Sequence, residues 1–161
     1  MSTLTVLHLC ATWFMIGLIW LVQVVQYPGF RAVGPREWPA YHAAHSNTIT
    51  RIIAPMMFTE LLLAVLLVFA AVTSNTQNNQ PIPTGVGPLA LSPIVLSLAG
   101  ILCLIFAWGV TFLISVPLHQ RLSAGHDHAL IVKLVSTNWF RTIAWSLRGL
   151  IALAMVLGSN S

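Results

Sequence analysis

Charged side chains are scarce in this sequence. The chain has 161 residues, of which 57% are hydrophobic and only 6% are charged. Soluble domains carry about 25% charged residues, so this chain has too few to cover a water-facing surface. Four apolar runs each approach or exceed the ~20 residues that cross the hydrocarbon core of a bilayer as a helix. We therefore expect an all-α transmembrane four-helix bundle in contact with lipid, forming one domain over residues 1–161, with helices at about 4–26, 50–73, 91–117 and 137–157.

Paired cysteines and the signatures of soluble enzymes are also absent. Cys10 and Cys103 both lie inside apolar runs, so their number and spacing exclude a disulfide framework or a CxxC metal site. There is no glycine-rich phosphate loop, no GxSxG elbow and no Rossmann fingerprint. A cleaved signal peptide is not expected, because no basic residue precedes the first apolar run. Any catalysis would take place in a polar pocket between the helices.

Six of the seven lysines and arginines lie in or beside the first and third connections between the apolar runs. They are Arg31, Arg36, Arg51, Arg121, Lys133 and Arg141. The positive-inside rule then predicts a cell-membrane protein with both termini outside and the two charged loops in the cytoplasm. The polar, Pro/Gly-rich connection at 74–90 would be a flexible outer joint. Because the net charge of +4 is explained by orientation in the membrane, we expect no nucleic-acid partner.

Prolines are expected to end two of the helices. The Tyr27-Pro28-Gly29 sequence should end the first helix, and Pro117 should end the third. Residues 37–47 have an amphipathic pattern, which predicts a short helix lying on the membrane surface. The second helix would then begin near Thr48, with Pro55 inside it.

A faint internal repeat divides the chain into halves. Residues 46–54 and 136–144 share Ser, Arg, Ile and Ala in register at an offset of 90, and Pro28 matches Pro117 at an offset of 89. Each half has the order helix, proline, basic loop, arginine, helix. This pattern predicts two repeated helix pairs, related by a pseudo-twofold axis along the membrane normal.

The clearest polar pattern opens the last apolar run. Asn138, Arg141, Trp145 and Arg148 recur at spacings of three, four and three residues, which is one face of a helix. A lipid-exposed arginine is very costly, so this face should look into the protein or a wet cavity.

The first helix carries a second polar group near its inner end. Gln23, Gln26 and Tyr27 stand at i, i+3 and i+4, so they should share a face and close a pocket from the first helix. The alternative is that they only make helix–helix hydrogen bonds.

Glu60 and Arg148 are the only formally charged residues deep in the apolar runs, and their charges are opposite. A buried charge needs a partner, so we predict that they pair directly or share a polar network. The pair is either structural, fixing helix register, or functional. In a functional site Glu60 would accept protons or bind metal, and Arg148 and Arg141 would anchor an anion such as a carboxylate.

Histidines supply the remaining candidates for chemistry. His119 follows directly on a polar stripe of the third helix and is the strongest catalytic candidate. His42 and His45 stand at i and i+3, and together with His119 and Glu60 they could form a non-haem metal site. No His-Glu-x-x-His motif is present.

Two resemblances to known families add expectations. His8, followed by Ala11-Thr-Trp13-Phe-Met-Ile-Gly17-Leu-Ile-Trp20, resembles the first helix of the four-helix membrane protoporphyrinogen oxidases and copper-resistance-D-like proteins. Arg51-Ile-Ile-Ala-Pro55-Met56 resembles their second helix. The resemblance implies haem binding, which would carry over to His8.

The second half gives the other resemblance. Ser115-Val-Pro-Leu-His119, with Asn138 and Arg141 further on, is similar to the anthrone-oxygenase-like group of small four-helix membrane proteins. That similarity implies oxidation of an aromatic compound.

The sequence therefore predicts a multi-pass membrane protein with a polar pocket in its cytoplasmic half. Glu60, Arg141, Arg148, His119 and Asn138 would line that pocket. As an enzyme, the protein would be a haem- or transition-metal-dependent oxidoreductase with a small anionic or aromatic ligand. The alternative is a non-enzymatic accessory subunit or a small carrier, either a homo-oligomer or part of a larger membrane complex, whose polar stripes are structural.

Overall fold

Four long helices make up the described part of the chain. The structure is a computed structural model that describes residues 2–78 and 92–158. Within these ranges the helices are α1 (Thr3–Ala32), α2 (Trp38–Asn78), α3 (Pro93–Leu122) and α4 (His128–Gly158). Helix α1 contains a π-helical turn at Val22–Gln26 and ends in a 3-10 turn, and α3 contains a π-helical turn at Thr111–Ser115. The predicted all-α four-helix bundle is confirmed.

The surface of the bundle is largely apolar. Each of the four helices is long and apolar enough to cross a membrane. Phe58, Phe69 and Leu113 are 62%, 67% and 79% exposed, and many other large apolar side chains share this exposure. An apolar surface of this extent fits hydrocarbon and not water. The chain is therefore a multi-pass membrane protein.

The helices pack as a closed ring, since each contacts the next in sequence and α4 contacts α1. Two apolar clusters fill the interior. One, around Met15, Leu104 and Trp145, lies near the middle of the bundle, and the other, around Phe30 and Trp38, lies near one end. We call this second end the link end, because the α1–α2 and α3–α4 connections lie there. The opposite end, where α1 begins and α4 ends, is the terminal end.

Neither predicted proline stop is observed. Helix α1 continues through Pro28 to Ala32, and α3 continues through Pro117 to Leu122. In a regular α-helix the proline ring clashes with the carbonyl group four residues earlier. A π turn ends two residues before each proline, and its wider winding moves that carbonyl away from the ring. The helices therefore accommodate Pro28 and Pro117 without ending at them.

Two other predicted boundaries are also wrong. There is no separate surface helix at 37–47, because α2 runs unbroken from Trp38 through Pro55 to Asn78. Helix α4 begins at His128 and not near residue 137. Asp127 explains this early start, since its Oδ1 accepts a hydrogen bond from the Leu130 backbone N–H at 3.1 Å, as an N-cap does. Most of the predicted 74–90 connection lies outside the described residues.

The helix bounds support the predicted repeat of two helix pairs. Helix α3 begins and ends 90 residues after α1, and α4 begins 90 residues after α2. The two π turns are 89 residues apart. Both odd-numbered helices have 30 residues. The repeat therefore includes the π turns that interrupt α1 and α3.

Gly149 brings α4 close to α1. A Cβ atom at this position would collide with Ile16 Cδ1, with Trp13 also near. We expect Gly149→Val to lower the free energy of unfolding by about 1–3 kcal/mol, the usual cost of overpacking a tight contact. Denaturant unfolding in detergent would measure this. Gly17→Val is the control, because a Cβ at Gly17 meets nothing within 4 Å. Equal losses of stability in Gly149→Val and Gly17→Val would contradict the close packing of α4 against α1 at Gly149.

Candidate functional site

The polar face of α4 is buried, as predicted. Asn138, Arg141, Trp145 and Arg148 are at most 4% exposed. Trp145 belongs to the middle apolar cluster and divides this face into two parts. Arg148 joins a polar group nearer the terminal end, whereas Asn138 and Arg141 join groups nearer the link end. The seven residues between the two arginines correspond to ~10 Å along a helix.

The terminal-end group contains the predicted Glu60–Arg148 pair, which is confirmed. Arg148 Nε donates to Glu60 Oε1 at 2.6 Å, and Thr12 Oγ1 donates to the same oxygen at 2.7 Å. The Nη1 group of Arg148 donates to the Gly100 carbonyl, and Nη2 lies 2.8 Å from His8 Nε2. We call these five residues the four-helix clasp, because they include at least one from each helix.

The clasp fits the structural alternative for Glu60 and Arg148. Both side chains are at most 2% exposed, their charges cancel, and each nitrogen of Arg148 has a partner. The adjoining cavity of ≈ 10 Å³ has room for about one water molecule. The single pocket predicted from the sequence is therefore wrong, since Glu60 and Arg148 lie apart from His119. The structure does not support the predicted catalytic role of Glu60, because the cavity beside this residue has no space for a substrate.

A haem group on His8 does not fit this arrangement. The Nε2 atom of His8 is taken by Arg148, with Thr12 Oγ1 also 3.5 Å away. The cavity of ≈ 10 Å³ beside the ring is far smaller than a porphyrin. His8 is instead a hydrogen-bonding member of the clasp.

Nearer the link end, Gln23 joins α1 to α4. Its Nε2 donates to the Val135 carbonyl at 3.2 Å, and its Oε1 accepts from Asn138 Nδ2 at 2.8 Å. Asn138 Oδ1 accepts from Arg141 Nη1 at 3.0 Å. Arg141 has no carboxylate partner among the described residues, and its buried Nε has no hydrogen-bond partner there. Three predicted ligand-binding residues, Gln23, Asn138 and Arg141, thus form one buried network.

Gln26 points away from this network. Its Nε2 donates to the Tyr41 hydroxyl at 3.0 Å, in an exposed position. The prediction that it shares a face with Gln23 and Tyr27 assumed 3.6 residues per turn. The π turn winds more residues into each turn, so the spacing of i, i+3 and i+4 no longer defines one face.

Tyr27, His119 and His42 form a hydrogen-bonded chain across three helices, which we call the relay. The Tyr27 hydroxyl lies 3.0 Å from His119 Nε2, and His119 Nδ1 lies 3.1 Å from His42 Nε2. Tyr27 and His42 are 4% and 3% exposed. The guanidinium of Arg141 lies beside the Tyr27 hydroxyl and near His119. The relay therefore contains the predicted His119 and brings Tyr27 and His42 to it.

The predicted non-haem metal site is not supported. His45 does join the group, with its ring centroid 6.0 Å from that of His119. However, both ring nitrogens of His119 are engaged in hydrogen bonds, and the fourth predicted ligand, Glu60, lies in the clasp. Within residues 2–78 and 92–158 no three His, Cys, Asp or Glu side chains are placed to hold a metal ion.

A cleft opens beside the relay, between α2 and α3 at the link end. Its volume of ≈ 370 Å³ is in the range of ~300–1,000 Å³ that is typical of small-molecule sites. His42 and His119 form part of its wall, and no Asp, Glu, Lys or Arg from the described ranges lines it. Ser46 also lines it, and its hydroxyl has no hydrogen-bond partner in the described chain.

The repeat explains why the cleft is present. The cleft between α2 and α3 is the counterpart of the α1–α4 interface, which Asn138 and Arg141 fill. The residues at the same offset on α2, Thr48 and Arg51, are exposed. Side chains of α4 thus fill the α1–α4 interface, whereas those of α2 leave the equivalent α2–α3 interface open. The cleft is not predicted by the sequence analysis. The one sequence signal for it is the difference between the two repeats at these positions.

Together the fold and the cleft define a class, a helical multi-pass membrane protein with a cleft at one end of its bundle. No family model, curated protein or solved structure matches this chain. The family resemblances noted in the sequence therefore stay expectations.

Proposed function

We propose that this protein is a membrane-embedded oxidoreductase that binds a small aromatic molecule in the α2–α3 cleft and exchanges a proton with it through the relay. The observation that carries the proposal is the chain of hydrogen bonds from Tyr27 through His119 to His42 at the cleft wall. Oxidation of a hydroxylated aromatic compound releases protons together with electrons. A site for that reaction needs a positioned proton acceptor, and histidine is the commonest one.

The relay can move a proton without moving heavy atoms. In the tautomer of His119 that carries its proton on Nδ1, Nε2 accepts from the Tyr27 hydroxyl and Nδ1 donates to His42 Nε2. Shifting each proton by one bond moves one proton from Tyr27 to His42 at the cleft wall, and the reverse shifts return a proton that His42 has accepted from the ligand to Tyr27. The positive charge of Arg141 lies beside Tyr27 and His119, so it repels a proton from His119 toward His42.

The lining of the cleft favours the aromatic ligand over the anionic one. Arg148 is committed to Glu60, Arg141 is bonded to Asn138, and neither lines the cleft. Apolar groups, including Ile49, give the cleft surfaces for the faces of a ring. The hydroxyl and amide side chains of the lining would bond to ring substituents. The electron acceptor is a second substrate in this proposal, because neither the haem nor the metal site fits.

The same proposal includes an orientation in the cell membrane. Arg31, Arg36 and Arg121 lie at or beside the two connections of the link end. By the positive-inside rule this end faces the cytoplasm and both termini face outward. The cleft would then receive its ligand from the cytoplasmic surface.

Filling the cleft should abolish ligand binding. Ala43 and its neighbour Ala44 are both exposed, but only Ala43 lines the cleft. We expect Ala43→Trp to weaken binding of a hydroxylated naphthalene by at least about tenfold, or ~1.4 kcal/mol, because the indole occupies the site. Isothermal titration calorimetry of the full chain in nanodiscs would measure this, with hydroxylated aromatics of one to three rings as probes.

Ala44→Trp is the matched control and should bind like the original protein. Equal affinities in the two variants, or no binding of any probe by the original protein, would contradict the proposal. Binding without oxidation in the presence of electron acceptors would remove the enzymatic function and support the small carrier.

A further inference from the structure

The only two tyrosines of the chain have opposite hydrogen-bonding environments. Tyr27 is 4% exposed, and its hydroxyl lies against the imidazole of His119 at 3.0 Å. Tyr41 is 37% exposed, and its oxygen accepts a hydrogen bond from Gln26 Nε2. An imidazole nitrogen can accept the phenolic proton, whereas an amide N–H cannot.

We propose that Tyr27 is a redox-active residue that carries one electron between the cleft and an oxidant. In this step the electron passes from Tyr27 to a one-electron acceptor of the quinone or metal-complex class. The O–H bond of Tyr27 breaks, and an N–H bond forms at His119 Nε2. The products are a neutral tyrosyl radical, a protonated His119 and the reduced acceptor. The radical then regains an electron from the hydroxylated aromatic molecule in the cleft and the proton held by the relay, and the aromatic molecule releases its own proton to His42 at the cleft wall.

Proton transfer is what makes this oxidation accessible. Without an acceptor, a tyrosine that loses an electron becomes a radical cation, and a second positive charge would then lie beside the guanidinium of Arg141. Transfer to His119, followed by transfer of its Nδ1 proton to His42, moves the positive charge toward the cleft. The geometry therefore favours a neutral radical at Tyr27.

The surroundings of Tyr27 also protect a radical. Its ring packs against Phe30 at a centroid distance of 5.4 Å and against His45 at 6.4 Å. Tyr27 directly follows the π turn of α1, and such turns often occur at functional sites. The wider winding of this turn moves Gln26 away from the direction of Gln23, so that Tyr27 and not Gln26 faces the buried groups.

Electron paramagnetic resonance after rapid oxidation tests the inference. The full chain in nanodiscs, made with ring-deuterated tyrosine, would be mixed with hexachloroiridate(IV), an outer-sphere one-electron oxidant, and frozen. We expect a tyrosyl signal that ring deuteration narrows, and slower formation of that signal in D₂O. Tyr41→Phe should give the same radical yield, whereas Tyr27→Phe should lose the signal.

A radical that persists in Tyr27→Phe, or one that is lost in Tyr41→Phe, would overturn the inference. His119→Phe should also lose the signal while Tyr27 remains present, which separates the role of the imidazole from that of the phenol. The inference rests on the proposed function only for the identity of the natural electron donor and electron acceptor. The two proposals can therefore be contradicted separately. Calorimetry of Ala43→Trp reports on ligand binding in the cleft, and electron paramagnetic resonance of Tyr27→Phe reports on the tyrosyl radical.

Discussion

Replacing Arg148 with leucine is expected to destabilise the bundle by about 3–5 kcal/mol, the usual cost of removing one partner of a buried ion pair. The change leaves the carboxylate of Glu60, which is 0% exposed, without a counter-charge. The Gly100 carbonyl and His8 also lose their donor. Denaturant unfolding of the purified protein in detergent measures the loss.

Two controls define the origin of this effect. Arg51→Leu removes an exposed arginine from α2 and should change stability little. Glu60→Gln combined with Arg148→Leu removes both charges and should recover part of the stability lost in the single change. If each single variant instead kept its folded amount and lost only activity, the clasp would be a functional site and the structural interpretation would fail.

Replacing His119 with glutamine should reduce the oxidation rate by a factor on the order of 10²–10⁴, the contribution typical of a general acid–base residue. Glutamine keeps polarity at the cleft wall but cannot pass a proton between Tyr27 and His42. Because ring binding depends on the whole cleft, we expect kcat to fall much more than KM rises. Steady-state kinetics with the aromatic probe that binds best would show this.

His128→Gln is the matched control for this variant. His128 is exposed at the start of α4 and makes no contact with the relay, so the rate should be unchanged. A similar rate loss in both variants, or a full rate in His119→Gln, would remove His119 from the chemistry.

The sequence was most informative where one physical constraint dominates. Burial of charge in lipid determines the inward face of α4 and the pairing of Glu60 with Arg148, since these are the only two opposite charges deep in the apolar runs. The internal repeat was visible for a similar reason, because each half needs the same order of proline, basic loop and helix.

The position of the site could not be predicted, because the second helix was expected to begin near Thr48, whereas α2 begins at Trp38. With the later start, Glu60 would lie closer to the basic connection and could share one pocket with His119. The partner of His8 lies on α4, at the other end of the chain, and only the register of packed helices reveals it.

Local rules failed at the two π turns. Proline normally ends a helix, and a spacing of i, i+3 and i+4 normally defines a face. Both rules assume regular α-helical winding, which the turn before Pro28 changes. The same turn moves Gln26 away from the direction of Gln23, so that Tyr27 joins the relay and Gln26 does not. Regular α-helical spacing predicts instead that all three side chains line one pocket wall.

The hydrogen bond between His42 and His119 is the most direct test of the relay. Nuclear magnetic resonance of the full chain in detergent, with ¹⁵N in its six histidines, can detect nitrogen–nitrogen coupling across such a bond. We predict coupling between His42 Nε2 and His119 Nδ1 that disappears in His42→Phe and persists in His128→Gln. Resolved signals from both rings with no coupling between them would contradict the relay and the function proposed from it.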